Sequence, residues 1–211
     1  MRLESLTMVR HGESTGNVAR AAALRDGAEV MNIVERDPDV PLSELGRRQA
    51  AALGDRLATV ERPDHVLCSP YLRTRETAEI SLKAIGSPQV RLDERLRDRE
   101  GGELYALTWT GIRTRFPDEA RRFERDGKFY YRPPGGESWT DVALRLRTLL
   151  DGLGGHVLIF AHDVVITLAR YILEGLTEAE ILEIEKTPIA NCSMTRWEHG
   201  RLVLYNDIPY V

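Results

Sequence analysis

Short apolar runs alternate with amphipathic segments along this 211-residue chain. The runs at residues 6–9, 65–68 and 156–161 are almost wholly apolar, which is typical of strands buried on both faces of a parallel sheet. A weaker run at 89–92 predicts a further strand, whereas the apolar positions of residues 44–58 recur at helical spacing. This alternation predicts an α/β protein in which helices cover both faces of a mostly parallel sheet.

Polar residues mark the points where several helices are predicted to begin. A Ser or Thr just before an amphipathic segment can accept a hydrogen bond from the free N–H groups of the first helical turn. The candidates are Ser43, then Ser138 with Asp141 and Thr177 with Glu180, the last two pairs forming capping boxes. A further helix is predicted to begin at Pro70 and to run toward residue 85.

The remaining pattern adds helices at 108–116, 118–126 and 164–173, with Pro117 separating the first two. A closing hairpin is predicted around His199 and Gly200. Three stretches lack a regular pattern, and we expect them to be lids or binding loops. These stretches are residues 18–41, 93–105 and 127–137.

Composition narrows the function classes. The net charge of −4 argues against a general nucleic-acid or membrane-surface binder, and no apolar run approaches the length that spans a bilayer. Cys68 and Cys192 are far apart, so we interpret them as buried free thiols in a reducing, cytoplasmic compartment. No signal peptide is evident at the N-terminus. The chain also shows no linker, which predicts one domain over residues 1–211. The histidines show no metal-ligand spacing, and we expect no metal or other cofactor.

Arg10, His11 and Gly12 directly follow the first predicted strand. In open α/β sheets ligands bind beyond the carboxyl ends of the strands. An arginine fork, an imidazole nucleophile and exposed backbone N–H groups suit a tetrahedral oxyanion. We expect Gly12 to allow a sharp turn and a close approach to the ligand.

Four stretches, taken together and in this order, resemble the histidine phosphatase superfamily, the phosphoglycerate mutase-like proteins. They are R-H-G-E-S at 10–14, S-P-Y-L-R-T-R-E-T-A at 69–78, the acidic loop at 93–100 and A-H-D at 161–163. The resemblance extends over residues 6–205. It implies a phosphoglycerate mutase-like α/β/α sandwich of three layers.

The resemblance also implies a role for each matching residue. His11 would be the nucleophile and become a phosphohistidine. The groups expected to hold the phosphoryl oxygens are Arg10, Asn17, Arg73 and a protonated His162. Asp98 would protonate the leaving alkoxide and then activate water, because an alkoxide leaving group needs a proton near neutral pH.

Asp98 departs from the family pattern, because the family commonly has glutamate at that place. Four other carboxylates compete with Asp98 as the proton donor: Glu94, Glu100, Glu103 and Asp163. We expect Asp163 to cap the helix that follows it.

The sequence favours a metal-independent phosphomonoesterase that acts on a small phosphorylated metabolite. Phosphoglycerate mutase-type transfer is the main alternative, followed by a metal-dependent HD-type phosphohydrolase and a non-catalytic phosphate-binding protein. Family relatives are often dimers, so a homodimer stays open. The segment that contains Lys128, Tyr130, Tyr131 and Arg132 is expected to reach over the pocket and to contact the substrate.

Overall fold

The computed structural model describes residues 3–208 and contains a six-stranded sheet. The strands are β1 (Leu3–Arg10), β2 (His65–Cys68), β3 (Val90–Leu92), β4 (Gly155–Ala161), β5 (Met194–Glu198) and β6 (Arg201–Asp207). Their order across the sheet is β3-β2-β4-β1-β5-β6. The first four strands of that order are mutually parallel, and the β5–β6 hairpin joins the sheet by antiparallel pairing of β5 with β1. The predicted, mostly parallel sheet is confirmed.

Helices flank the sheet, as the alternating pattern predicts. They are α1 (Thr15–Arg25), α2 (Glu44–Leu57), α3 (Leu72–Leu82), α4 (Trp109–Arg115), α5 (Pro117–Tyr130), α6 (Trp139–Leu150), α7 (Asp163–Leu173) and α8 (Glu178–Ile184). Ser43 caps α2, and both bonds of the predicted capping boxes are present at the starts of α6 and α8. None of the helices within residues 3–208 has the length and apolar content needed to cross a bilayer.

Two apolar layers hold helices against opposite faces of the sheet. On β4, Ile159 points into the layer formed with α6 and α7, whereas Phe160 points into the layer formed with α2 and α3. Both side chains are fully buried. Successive side chains of a strand face opposite sides, so a central strand covered on both faces must be apolar throughout. The structure is therefore the predicted α/β/α sandwich.

Helix α1 corrects the expectation that residues 18–41 lack regular structure. Its N-cap is Ser14, and Asn17 completes a capping box with it. Hydrophobic periodicity could not predict this helix, because Ala23 is its one buried residue and both Val18 and Leu24 are exposed. Capping rather than burial marks where it begins.

Two predicted helix boundaries are also wrong. Helix α3 begins at Leu72, because Pro70 and Tyr71 form a bend in which Tyr71 has an extended backbone. Helix α5 continues to Tyr130 through a kink at Gly127, whose φ of 74° is readily adopted only by glycine. Part of the predicted irregular stretch 127–137 is therefore helical.

The first loop after β1 packs tightly against the start of α2. A Cβ on Gly12 would lie 2.6 Å from the carbonyl oxygen of Gly46, and a Cβ on Gly46 would lie 2.0 Å from that of Glu13. The Ser43 N–H donates to the same Glu13 carbonyl at 2.8 Å. Gly12 is thus required for close backbone packing against α2, and it does not adopt the left-handed conformation of a sharp glycine turn.

We expect Gly46→Ala to lower the free energy of unfolding by about 1–3 kcal/mol, because the added methyl group meets backbone atoms that cannot rotate away. Urea unfolding measures the change. Gly152→Ala is the matched control, since its nearest contact would be the Leu149 carbonyl at 3.5 Å. Equal stability of the two variants would contradict this account of the packing.

Candidate active site

Two buried histidines meet at the carboxyl ends of β1 and β4. The ring centroids of His11 and His162 lie 5.3 Å apart, with an angle of 62° between the planes. The backbone N–H of His11 donates to the carbonyl of Ala161 at 3.1 Å, which ties the two strand ends together. Parallel pairing of β1 with β4 thus brings together two motifs that are separated by about 150 residues in sequence.

The His11 ring is held in one tautomer. Its Nδ1 lies 2.7 Å from the carbonyl oxygen of Gly12, and because a carbonyl only accepts, Nδ1 carries the proton. Burial lowers the pKa of His11 well below its usual value, and the positive charges of Arg73 and Arg10 lower it further. The ring is therefore neutral near pH 7, with the lone pair of Nε2 available for nucleophilic attack.

His162 is also neutral in this structure, which differs from the protonated ring that the sequence suggests. Burial is the largest cause of its lowered pKa, followed by the charges of Arg73 and Arg10. Its Nε2 lies 2.8 Å from Ser69 Oγ, and its Nδ1 lies 3.3 Å from Asp98 Oδ2 without hydrogen-bond alignment. Positive charge at the site thus resides on the guanidinium groups.

Arg73 forms ion pairs with two acidic residues of the site. This buried side chain bonds through Nη1 to the backbone oxygen of Asp37 at 2.7 Å and to its carboxylate at 3.0 Å. Through Nη2 it bonds to Asp98 at 2.9 Å, and its guanidinium lies 4.8 Å from the centre of the Tyr71 ring. Two carboxylates therefore fix the orientation of one cation.

Arg10 supplies a second guanidinium at the end of β1. Its Nη1 bonds to the carbonyl of Ile189, and its Nη2 lies 3.6 Å from the carboxylate of Asp163. The buried Nε has no hydrogen-bond partner within residues 3–208. The weak pairing leaves this cation able to bind an anion in the cavity that it lines.

Asp98 is the best placed of the five candidate acids. It lines the same cavity as His11, and one carboxylate oxygen contacts both Arg73 and His162. Glu94, Glu100 and Glu103 are not among the residues that line this cavity. Glu100 instead accepts a hydrogen bond from the Tyr71 hydroxyl at 2.9 Å.

Asp163 lines the cavity but does not have the predicted N-cap position. His162 is the N-cap residue of α7, and Asp163 is the first helical residue, whose carboxylate accepts the N–H of Val164 at 2.7 Å. The chain turns directly from β4 into α7, so the N-cap position coincides with the buried histidine. The carboxylate still lies at the positive end of the helix, as expected.

Asn17 forms a capping hydrogen bond and also lines the cavity. Its Oδ1 accepts the N–H of Ser14 at 3.1 Å and the Nδ2–H of Asn191 at 3.3 Å. Asn191 also donates to the carbonyl of His11 at 3.0 Å. The side-chain oxygen of Asn17 is thus used internally, and its amide nitrogen is the group suited to an anion.

Sequence reasoning missed three residues that shape the site, namely Asp37, Ser69 and Asn191. Ser69 is part of a recognised motif, but nothing in the motif specifies contact with His162. Asp37 lies in a stretch without pattern, so no sequence signal marks it. Burial raises the pKa of Asp37 to about 6, and the Asp98 carboxylate adds to the rise against the opposing effect of Arg73.

The cavity that contains these groups has a volume of about 640 Å³. Four residues that follow the kink in α5 are expected to contact the substrate. Of these four, only Lys128 lines the cavity. Tyr131 is buried and donates to Glu119, whereas Arg132 pairs with Asp141. Tyr130 donates to Glu178 on α8. Most of this segment is therefore engaged in intramolecular contacts.

Comparisons with known proteins agree on one family. The sequence model of the histidine phosphatase superfamily (branch 1) matches residues 6–207. A 2,3-bisphosphoglycerate-dependent phosphoglycerate mutase 2 of Gloeobacter violaceus is 33% identical over 204 residues, which cover 92% of this chain and 85% of that protein. A metal-independent phosphoserine phosphatase of Arabidopsis thaliana is 30% identical over 179 residues, covering 82% and 69% respectively.

Solved structures of other proteins share the fold of this chain. The native structure of mycobacterial glucosyl-3-phosphoglycerate phosphatase superposes with a TM-score of 0.76 at 29% identity, covering 98% of this chain and all of that one. An alpha-ribazole phosphatase from Shigella flexneri has a TM-score of 0.78 at 21% identity, covering 96% of each chain.

We expect the stability of the wild type to fall, relative to Asp37→Asn, as pH rises from about 4 to above 6. The folded protein holds a proton on Asp37 that the unfolded chain releases near pH 4, so folding binds protons in this window. The difference should reach at most about 3 kcal/mol. Urea unfolding of both proteins at several pH values measures it, and parallel stability curves would contradict the raised pKa.

Proposed function

Because this chain belongs to the histidine phosphatase superfamily (branch 1), we propose that it hydrolyses phosphomonoesters through a phosphohistidine on His11. The observation that carries the proposal is the buried, neutral His11 ring, whose Nδ1 bond to Gly12 leaves Nε2 as the nucleophile. Relatives named as phosphatases, including the phosphoserine phosphatase and the glucosyl-3-phosphoglycerate phosphatase, support hydrolysis as the reaction.

In the first proposed step, Nε2 of His11 attacks phosphorus, and the bond to the leaving alcohol oxygen breaks as the N–P bond forms. Phosphoryl transfer needs mainly positioning and charge stabilisation, which Arg10 and Arg73 supply. The phosphoryl group replaces part of the carboxylate pairing of Arg73. Protonated Asp98 gives its proton to the departing alkoxide, because an alkoxide leaving group needs a proton near neutral pH.

In the second step, a water molecule replaces the alcohol and attacks the phosphohistidine. The Asp98 carboxylate takes a proton from this water, the P–N bond breaks, and inorganic phosphate leaves. His162 and the amide nitrogen of Asn17 donate to phosphoryl oxygens through both steps. Ser69 supports this role, since its hydroxyl contacts the opposite nitrogen of the His162 ring.

We further propose a small phosphorylated metabolite as substrate, a size that suits a cavity of about 640 Å³. Arginines rather than a metal ion neutralise the phosphoryl charge in this proposal. Cytoplasmic location, a single domain over residues 1–211, and the absence of nucleic-acid and membrane partners remain part of the proposal.

Mutase activity is the second candidate, because the relative from Gloeobacter violaceus is named as a phosphoglycerate mutase. The sequence of the acid loop argues against mutase activity, since residues 98–102 read D-R-E-G-G rather than the E-R-H-Y-G of the mutase pattern. Incubation with 3-phosphoglycerate and a catalytic amount of 2,3-bisphosphoglycerate separates the two. Formation of 2-phosphoglycerate faster than phosphate release would favour the mutase.

We expect His11→Ala to lower kcat for p-nitrophenyl phosphate by at least about 10³-fold, because the attacking atom is removed. Rapid quenching with labelled substrate should trap an acid-labile phosphoenzyme in the wild type and none in the variant. His65→Ala is the control, since His65 is an exposed residue at the start of β2.

The same assay tests the other classes. Undiminished turnover by His11→Ala would overturn the proposal. Loss of wild-type activity in EDTA would favour a metal-dependent HD-type enzyme. A protein that binds inorganic phosphate and turns over no phosphomonoester would be a phosphate-binding module.

We expect Asp98→Asn to lower kcat/KM for glycerol 3-phosphate by roughly 10²–10³-fold and for p-nitrophenyl phosphate by less than about 10-fold. An alkoxide needs a proton as it leaves, whereas p-nitrophenolate does not. Glu100→Gln, which changes the neighbouring acid that pairs with Tyr71, should affect both substrates alike. Equal losses on the two substrates for Asp98→Asn would remove Asp98 as the proton donor.

A further inference from the structure

Asp37 places a second carboxylate beside the Arg73 guanidinium, and the proposed reaction gives this carboxylate no role. One of its oxygens lies 3.0 Å from Arg73 Nη1, and Asp37 lines the active-site cavity. Asp37 begins a short 3₁₀ turn, Asp37–Asp39. The other acid of that turn, Asp39, pairs with Arg36 at the surface and does not line the cavity. Asp37 is therefore the acid through which this turn meets the site.

The carboxylate of Asp37 is not needed to hold Arg73 in place. Nη1 of Arg73 also donates to the backbone oxygen of Asp37 at 2.7 Å, and Nη2 donates to Asp98 at 2.9 Å. Both bonds would remain if the Asp37 side chain were neutral. Within residues 3–208 the ion pair with Arg73 is the one polar contact of the Asp37 carboxylate, whereas Asp98 also accepts the backbone N–H of Arg99 at 2.8 Å. Asp37 is thus the less firmly held of the two acids.

An ionised Asp37 occupies a donor that a phosphoryl group can use. Nη1 of Arg73 carries two N–H groups, and one of them is bonded to the backbone oxygen of Asp37. The second N–H faces the Asp37 carboxylate. Carboxylate and phosphoryl oxygens are both anionic acceptors for a guanidinium, so they compete for this one donor.

The charges around the proposed phosphoryl site already include several acids. Arg10 lies 3.6 Å from Asp163, and Arg73 pairs with both Asp37 and Asp98. Three carboxylates therefore accompany two guanidinium groups. A phosphoryl dianion beside Arg73 is repelled by each ionised carboxylate, and the repulsion is strong where water is excluded. Uptake of a proton by one carboxylate removes part of this repulsion.

The surroundings of Asp37 favour its neutral form. The titratable and charged groups that face it are Arg73, Asp98, Glu100, Tyr71 and Tyr105. Burial raises the pKa of Asp37 to about 6, and the Asp98 carboxylate adds to the rise against the opposing effect of Arg73. Burial also raises the pKa of both tyrosines, so their hydroxyls stay neutral near pH 7. A phosphoryl dianion would add negative charge and favour the neutral carboxyl further.

Resting on the proposed hydrolysis, we propose that Asp37 is a positioning residue that competes with the phosphoryl group for Arg73 and releases this arginine by taking up a proton. In the free enzyme near pH 7 the ionised carboxylate faces the second N–H of Nη1. When a phosphoryl dianion binds, the Asp37 carboxylate takes a proton from the solvent, and a phosphoryl oxygen accepts that N–H instead. The dianion therefore binds together with one proton, and its affinity falls as pH rises.

Isothermal titration calorimetry with sulfate tests this coupling, because sulfate is a tetrahedral dianion whose own charge does not change near neutral pH. We expect the wild type to take up nearly one proton for each sulfate bound at about pH 7.5. The dependence of the binding enthalpy on the ionisation enthalpy of the buffer measures this uptake. The affinity for sulfate should fall roughly 10- to 20-fold between about pH 6.5 and about pH 8.

Two variants of the same turn separate the role of Asp37 from a general effect of charge. Asp37→Asn should take up less than about 0.3 proton per sulfate, and its affinity should change by less than about threefold over the same pH range. Asp39→Asn is the matched control, because Asp39 lies two residues away and pairs with Arg36 outside the cavity. It should take up as many protons as the wild type does.

The outcomes separate this inference from the proposed function. Proton uptake that persists in Asp37→Asn would assign the proton to another group, such as His162, and would overturn the inference. A wild type that does not bind sulfate, or binds it with the same affinity at each pH, would also overturn it. Weaker binding by Asp37→Asn at every pH would show that the carboxylate serves to orient Arg73 and does not compete for it. Hydrolysis of p-nitrophenyl phosphate is measured separately, and its absence would remove the proposed phosphatase activity while the sulfate result still decides the role of Asp37.

Discussion

The chemistry proposed for this protein depends on one hydrogen bond, from Nδ1 of His11 to the carbonyl oxygen of Gly12. That bond determines which ring nitrogen has the free lone pair. The loop that holds the carbonyl is itself fixed, because the Gly12 N–H donates to Thr77 on α3 and the Gly12 backbone packs against Gly46 on α2. Two helices from one face of the sheet thus immobilise the acceptor, and a neutral, oriented imidazole follows from their packing.

Electrostatics around that ring depend on burial as much as on charge. His11 and His162 are withdrawn from water beside Arg10 and Arg73, so both rings are neutral near pH 7. The arginines keep their charge, and Arg73 is held in place by carboxylates that an incoming phosphoryl group would partly displace. The same arrangement that keeps the proposed nucleophile neutral therefore provides the cations that would stabilise the transferred group in the proposed reaction.

Local signals predicted most of the fold. Continuous apolar runs predicted the buried strands, and Ser138 and Thr177 predicted helix starts, because both signals depend on residues close together in sequence. Helix α1 was missed because it buries almost none of its surface. The start of α3 was misplaced because Pro70 is equally compatible with a turn and with a first helical position. The first error reflects a helix without a periodic apolar signal, and the second reflects a residue type that fits two local conformations.

The sequence by itself determined the layered architecture and the chemical groups of the site, since periodicity and short motifs encode both. It specified an arginine, a histidine and a second histidine at strand ends. Only the tertiary structure decided which atoms meet. It joined Asp37 to Arg73 and placed Asp98 rather than Glu100 on the cavity. These contacts link segments far apart along the chain, and their distances follow from how the helices pack on the sheet.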